Sequence, residues 1–354
     1  MEGKIKAKTW KYFDIILIAI SLFLAFFAYR IISAYYIQAN KPLDKIVEEI
    51  KQETNDKCIE CEQRSIDGVL VVEDQENIFP IAVVIENHTE ARPQAGLAKA
   101  NLVIEAEVEG GITRFLAFFA EENKPKRIGP IRSARPYFID WARGLSSLYV
   151  HVGGSPEALA KIIKENVLDL NEFFNEKYFW RDSINDAPHN VFTSGENLNK
   201  YLNKKGLEKS DFISWSFKDE AGYDERGDLS NVNIDFEREM YKVDWKYNKE
   251  KNEYIRYMGG VEHKSESGDL VKAKNVIIAF MEAEVLDSKL RLKMNNIGTG
   301  DSVVCMNGVC NEGTWIKLSS TSRMRFYNDN GDEIEFNRGT TWIEIVKPEI
   351  EVTY

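Results

Sequence analysis

Residues 80–119 read PIAVVIENHTEARPQAGLAKANLVIEAEVEGGITRFLAFF, and the parsing of this stretch decides the fold. Ile81 to Ile85 is a short apolar run entered through Pro80, and its length and β-branched content predict a buried strand. Leu102 to Glu109 alternates instead. Ile104, Ala106 and Val108 share one face, and Glu105, Glu107 and Glu109 share the other. This predicts a strand with a polar side, either solvated or paired with arginines. Phe115 to Phe119 is another apolar run, and glycines and prolines punctuate the intervals.

Working toward the C-terminus, Leu148 to Val152 predicts a further strand. Helices are expected from Pro136 to Arg143, from Pro156 to Glu165 and from Gly195 to Lys204. Ser155 stands as N-cap before Pro156 at the first helical position, while Ser194 caps and Gly206 stops the third helix. Interleaved strands and helices make residues 69–215 a mixed α/β domain. A charge-dense segment, KDEAGYDERGD at 218–228, lies in the polar stretch that marks the boundary. Beyond it NVNIDF, YKVDWKY, EYIRYMGG, KNVIIAF, DSVVCMNGVC and TWIEIV are short strands with turn signals between them. Residues 216–354 are therefore expected to be a mainly-β second domain, a sandwich or barrel.

Working toward the N-terminus, Phe13 to Tyr29 is nearly all apolar (FDIILIAISLFLAFFAY), long enough to approach the roughly 20 residues that cross a bilayer. The expectation is a cytoplasmic tail (1–11), a transmembrane helix (12–37) and a stalk (38–68). Lys4, Lys6, Lys8 and Lys11 precede the span and place that end in the cytoplasm. Bulky Tyr29-Arg30-Ile31-Ile32 follows, with no small-x-small cleavage site, so the segment reads as an uncleaved anchor. The fold class is α+β: an N-terminal transmembrane helix, a mixed α/β first domain and a mainly-β second domain. The first twelve residues carry a net +3, leaving −14 on the rest of a chain whose total is −11. Such a field excludes non-specific nucleic-acid binding.

The four cysteines form two close pairs, Cys58/Cys61 in CIEC and Cys305/Cys310 in CMNGVC. A four-thiolate zinc site is one reading. Asn307-Gly308 favours the other, because a two-residue hairpin turn sets Cys305 opposite Cys310, a separation that a disulfide spans in an oxidising compartment.

Candidate chemistry collects in the first domain. Arg114, Arg132 and Arg135 supply guanidinium groups suited to phosphate or carboxylate. Gly153, Gly154 and Ser155 lead into a helix whose free N–H groups favour an anion. Ser133 adds a hydroxyl and Asn190 an amide. His151, His189 and Glu109 are the acid–base candidates for catalysis. Spacing neither supports nor opposes a metal site drawn from His88, His151, His189 and a glutamate, so no metal ligand and no cofactor is assigned. Walker A, G-x-S-x-G, H-E-x-x-H and G-x-G-x-x-G signatures are all absent.

The stretches PIAVVIENHTEARPQAGL, EAEVEGGITRFLAFF, RIGPIRSARPYF, HVGGSP and APHNVFTS, with YIRYMGGVEHKSESGDL and FNRGTTWIEIVKP later, resemble the YerB-like family of bacterial lipoproteins over residues 69–347. The resemblance implies two extracytoplasmic domains of unknown function, the first mixed α/β and the second β-rich. The chain departs from that pattern in having no lipid-accepting cysteine after its apolar segment. A looser likeness to the LytR-CpsA-Psr ligases implies that Arg114, Arg132 and Arg135 hold a pyrophosphate, although Pro136 stands where those enzymes have an aspartate. The expectation is a membrane-anchored cell-envelope protein whose first domain binds an envelope polymer or lipid-linked phosphate, with a phosphotransfer or hydrolytic step open to it. The alternative is a non-catalytic scaffold that recruits a protein or glycan partner.

Overall fold

The apolar runs and the alternating stretch between them form adjacent antiparallel strands: β1 (Ile81–Glu86), β2 (Leu102–Glu107) and β3 (Thr113–Phe119). Every residue of the three is buried, so both faces of this sheet must be covered. The structure is a computed structural model and describes residues 22–33, 61–121, 124–183, 185–229 and 231–354. β4 (Leu148–His151) and β5 (Asp169–Asn171) continue the sheet in parallel beside β1.

Past residue 230 the same sheet gains β6 (Asn275–Phe280), β7 (Gly298–Met306), β8 (Val309–Lys317), β9 (Arg325–Asn328) and β10 (Thr341–Val346). β10 lies parallel to both β2 and β6, so the strand order is 9-8-7-6-10-2-3-1-4-5. Strands from both sides of residue 215 thus share one sheet within a compact unit, Glu60–Tyr354. The other strands of the second half include Asn231–Ile234, Val243–Asn248 and Glu253–Met258, which belong to a six-stranded sheet. The β-rich half is therefore not a separate sandwich or barrel. Its strand TWIEIV is buried at every position and finds its second neighbour in β2 of the first half.

The six-stranded sheet covers one face of the large sheet, where Val232, Trp245 and Tyr254 join Val83, Phe115 and Trp342 in one core. Trp245 and Trp342 meet edge-on with ring centroids 5.3 Å apart. Burying each removes roughly 150–250 Å² from water, about 4–6 kcal/mol before the entropy of ordering is counted. Helices α1 (Pro136–Arg143) and α2 (Pro156–Lys164) cover the other face, with Phe138, Trp141 and Ile162 against Val84, Ile104 and Phe118. Ser155 caps α2 as expected, its hydroxyl accepting the Ala158 N–H at 3.2 Å. α3 (Gly195–Lys205) is capped by Ser194 in the same way and ends at Gly206.

The polar side expected of β2 is not solvated. Glu105 is fully buried in an ion pair with Arg256, and Glu107 pairs with Lys347 at 3.2 Å. The six-stranded sheet, to which Arg256 belongs, lies over that face and leaves Glu105 no exposed surface and Glu107 only 6%. The cysteine hairpin forms as expected. Asn307 and Gly308 take φ of 54° and 72°, the turn conformation that glycine tolerates best, and Cys305 is bonded to Cys310 across it. Cys61 is also disulfide-bonded. The expected transmembrane segment 12–37 lies largely outside the described residues. Within it, residues 22–33 are helical, and among the described residues no helix is long and apolar enough to cross a membrane.

Candidate functional site

The antiparallel register of β1 and β3 sets Glu86, the last residue of β1, opposite Arg114. Residues 130–132 run beside β1, with the Glu86 N–H bonded to the Pro130 carbonyl and the Arg132 N–H to the Val84 carbonyl at 2.8 and 2.9 Å. This backbone pairing delivers the Arg132 guanidinium to the Glu86 carboxylate, with which it forms a charged hydrogen bond. Arg114 Nη2 lies 3.8 Å from the same carboxylate. Burial alone would push the Glu86 carboxyl up, but the charges of Arg114 and Arg132 outweigh it and hold the group below the usual carboxylate range.

Arg114 is itself buried. Its Nη1 donates to the Ser133 carbonyl at 3.0 Å, while its Nε has no hydrogen-bond partner. Arg135 forms a two-pronged pair with Glu109, Nε and Nη2 each donating at 2.6 Å. Burial raises the Glu109 carboxyl, and the Arg135 bonds and charge reverse the shift and leave it low. His189 completes the group. Its Nδ1 faces Glu86 at 3.6 Å and its Nε2 faces Glu90 at 3.5 Å, and its ring stacks on His88 with centroids 4.7 Å apart. Burial lowers the His189 pKa, against the opposing pull of Glu86.

The other expected residues are committed elsewhere. Gly153 donates its N–H to the Asn171 side chain at 3.0 Å and Ser155 donates its own to the Ala134 carbonyl at 3.2 Å, so this junction is closed by the protein itself. Gly153 has φ of +57°, and a Cβ there would lie 2.8 Å from the Phe173 ring, which accounts for the glycine. Gly154 pairs with Ala134 through an isolated bridge. His151 is fully buried, one ring nitrogen against the Gly153 carbonyl at 2.6 Å and the other against Asp169 at 3.1 Å. Asn190 accepts from Arg181 and donates to the Asp182 carbonyl, closing its own loop.

Glu86 and Glu90 were not among the expected site residues. A signal for Glu86 existed, since a carboxylate ending an apolar buried strand needs a cationic partner. A second, wholly buried polar network lies behind it. Asn87 donates to Thr113 at 2.7 Å and accepts from Gln94 at 2.9 Å. Gln94 meets His263 at 3.0 Å, and His263 meets Arg256 at 2.7 Å. Arg256 in turn pairs with Glu105, and Trp245 donates to Glu344 at 2.9 Å. Burial, aided by the charge of Glu105, pushes the Glu344 carboxyl well above its ordinary range. Burial, with Arg256 and Arg92 nearby, pushes His263 well below its own.

Two family models match the chain: Protein of unknown function (DUF3048) N-terminal domain over residues 67–208, and the corresponding C-terminal domain over residues 232–343. The chain is 32% identical over 271 residues to "Putative lipoprotein YerB" of Bacillus subtilis (strain 168), spanning 75% of this chain and 81% of that protein. Its fold superposes on the crystal structure of the YerB protein from Bacillus subtilis with a TM-score of 0.74 at 30% identity, covering 83% of this chain and 100% of that one.

Proposed function

Because the chain belongs to the DUF3048 family of two-domain proteins, we propose that it is a membrane-tethered, extracytoplasmic envelope protein whose arginine cluster holds an anionic, phosphate-bearing ligand. The observation that carries this reading is the convergence of Arg114, Arg132 and Arg135 around two carboxylates, with the Arg114 Nε buried and unpartnered. Three guanidinium charges against Glu86 and Glu109 leave an excess positive charge where water is scarce, and an incoming phosphate oxygen offsets it. His189 is the acid–base candidate that faces this cluster, whereas both ring nitrogens of His151 are taken.

The tether is the apolar segment 12–37, crossing once with the lysine-bearing end in the cytoplasm. The lipoprotein name of the Bacillus subtilis relative supports membrane attachment, and the bonded Cys305–Cys310 pair supports an oxidising compartment. A second reading has support in the closed Arg135–Glu109 pair: a scaffold in which the arginines only lock loops together. Binding of pyrophosphate and of undecaprenyl pyrophosphate to the full-length chain in detergent separates the two. The proposal expects Arg132→Ala to weaken binding about tenfold or more, as the loss of a charge-assisted contact implies. Equal binding by the two proteins selects the scaffold.

A further inference from the structure

We propose that His88, Glu90 and His189 form a site for one divalent transition-metal ion, zinc by preference, at the end of β1. His88 caps the single turn Thr89–Ala91 that follows β1, its Nδ1 accepting the Glu90 N–H at 3.3 Å, a weak bond that an ion at Nδ1 would replace, and His189 reaches His88 and Glu90 from a loop about a hundred residues further along. One ligand atom from each of the three falls within 4.8 Å of the others. His189 Nε2 is 3.5 Å and His88 Nδ1 3.8 Å from the same Glu90 oxygen. Bonds of 2.0–2.1 Å in a tetrahedral zinc site set ligand atoms about 3.3 Å apart, so the site must contract, and the stacked His88 and His189 rings must turn from their 17° interplanar angle for both lone pairs to meet one ion. Glu90 is exposed, and its carboxylate can swing to supply it.

The far side of the His189 ring fits this assignment. His189 is 8% exposed, and its Nδ1, which faces away from Glu90, has no hydrogen-bond partner although the Glu86 carboxylate stands 3.6 Å away. A metal-bound histidine characteristically turns its other ring N–H to a carboxylate, which fixes the tautomer and strengthens the ligand. With Nε2 on the metal, His189 Nδ1–H donates to Glu86, and the orphaned atom is satisfied. The remaining histidines are unavailable, since His151 and His263 each have both ring nitrogens engaged. Two histidines and one carboxylate leave a fourth position for water or for an anionic oxygen, the arrangement of zinc sites that keep an open position. The inference leaves the anion-binding reading of the arginines as it stands but takes His189 out of the acid–base role, since both its ring nitrogens are then engaged; the metal is assayed with no anion added.

The test uses the metal-stripped full-length chain in detergent. Co²⁺ is followed by its visible absorption, which reports coordination number, and Zn²⁺ by calorimetry. One ion per chain is expected, with His88→Ala and His189→Ala each weakening binding by about 100-fold or more and Glu90→Gln by about tenfold. Melting curves in chelator check that each variant folds. Should the buried His189 position prove intolerant, His88→Ala and Glu90→Gln, at the exposed side, decide the matter. No saturable binding at micromolar Zn²⁺, or equal binding by wild type, His88→Ala and Glu90→Gln, overturns the proposal.

Discussion

Replacing Arg256 by methionine keeps an unbranched apolar stem and deletes the guanidinium. That group sits at 0% exposure between the two sheets and pairs with Glu105, itself at 0%. It also meets His263 at 2.7 Å, lies 3.7 Å from Glu344, and rests over the Trp342 ring at 4.9 Å. Removing one member of a buried pair leaves an uncompensated charge and costs about 3–5 kcal/mol. Against a typical total of about 5–15 kcal/mol this is a large share of the stability. The loss arises from the stranded Glu105 carboxylate more than from the missing contact, so Glu105→Gln placed in the same chain recovers a substantial part of it. Urea titration of residues 60–354 followed by tryptophan fluorescence suits the question, because Trp245 and Trp342 flank the pair. The midpoint should fall with an unchanged slope in Arg256→Met and rise again in Arg256→Met/Glu105→Gln. A single-variant loss below about 1 kcal/mol, or a double variant weaker than the single, refutes the argument that Arg256 holds a buried charge in place.

Glu344 makes stability fall as pH rises above the ordinary carboxylate range. Its folded pKa is raised above the ordinary 4.5, so its contribution is complete below 4.5 and is lost as pH rises through the folded value. Glu344→Gln keeps a hydrogen-bonding amide there and removes that loss; melting temperatures of variant and wild type, followed from pH 5 to 9, should separate progressively as pH rises, and parallel curves would contradict the assignment. On the acid side His263 acts in both proteins alike, destabilising the fold as pH falls below its unfolded value of 6.5. The Cys305–Cys310 bond closes a short loop of sequence separation 5, for which chain entropy implies about 2 kcal/mol. Cys305→Ala/Cys310→Ala should therefore lower the unfolding free energy read from urea titration by about that much, and an unchanged free energy would show that the hairpin turn alone holds the strands.

Local features were legible because their causes are local. The Ser155-Pro156 start of α2 and the Asn307-Gly308 turn follow from backbone dihedrals and hydrogen bonds that span a few residues. Knowledge of which turn it was placed Cys305 opposite Cys310. The arginine cluster was legible as a set of residue types, and Arg135 did meet Glu109. Its partners were less so, since nothing near Glu86 in the sequence announces Arg132 or His189.

By itself, then, the sequence determined the elements: the apolar runs of β1 and β3, the helix caps, the disulfide hairpin and a β-rich second half. Tertiary structure alone decided what covers each face. The alternation of β2 reads as half-solvated, yet a sheet built from residues after 230 buries Glu105 against Arg256. It also decided that β10 lies beside β2, merging both halves into one sheet, and that His189 stacks on His88. The reason is physical. Strand and turn preferences act over a few residues, whereas burial and ion pairing depend on which distant surface excludes the water.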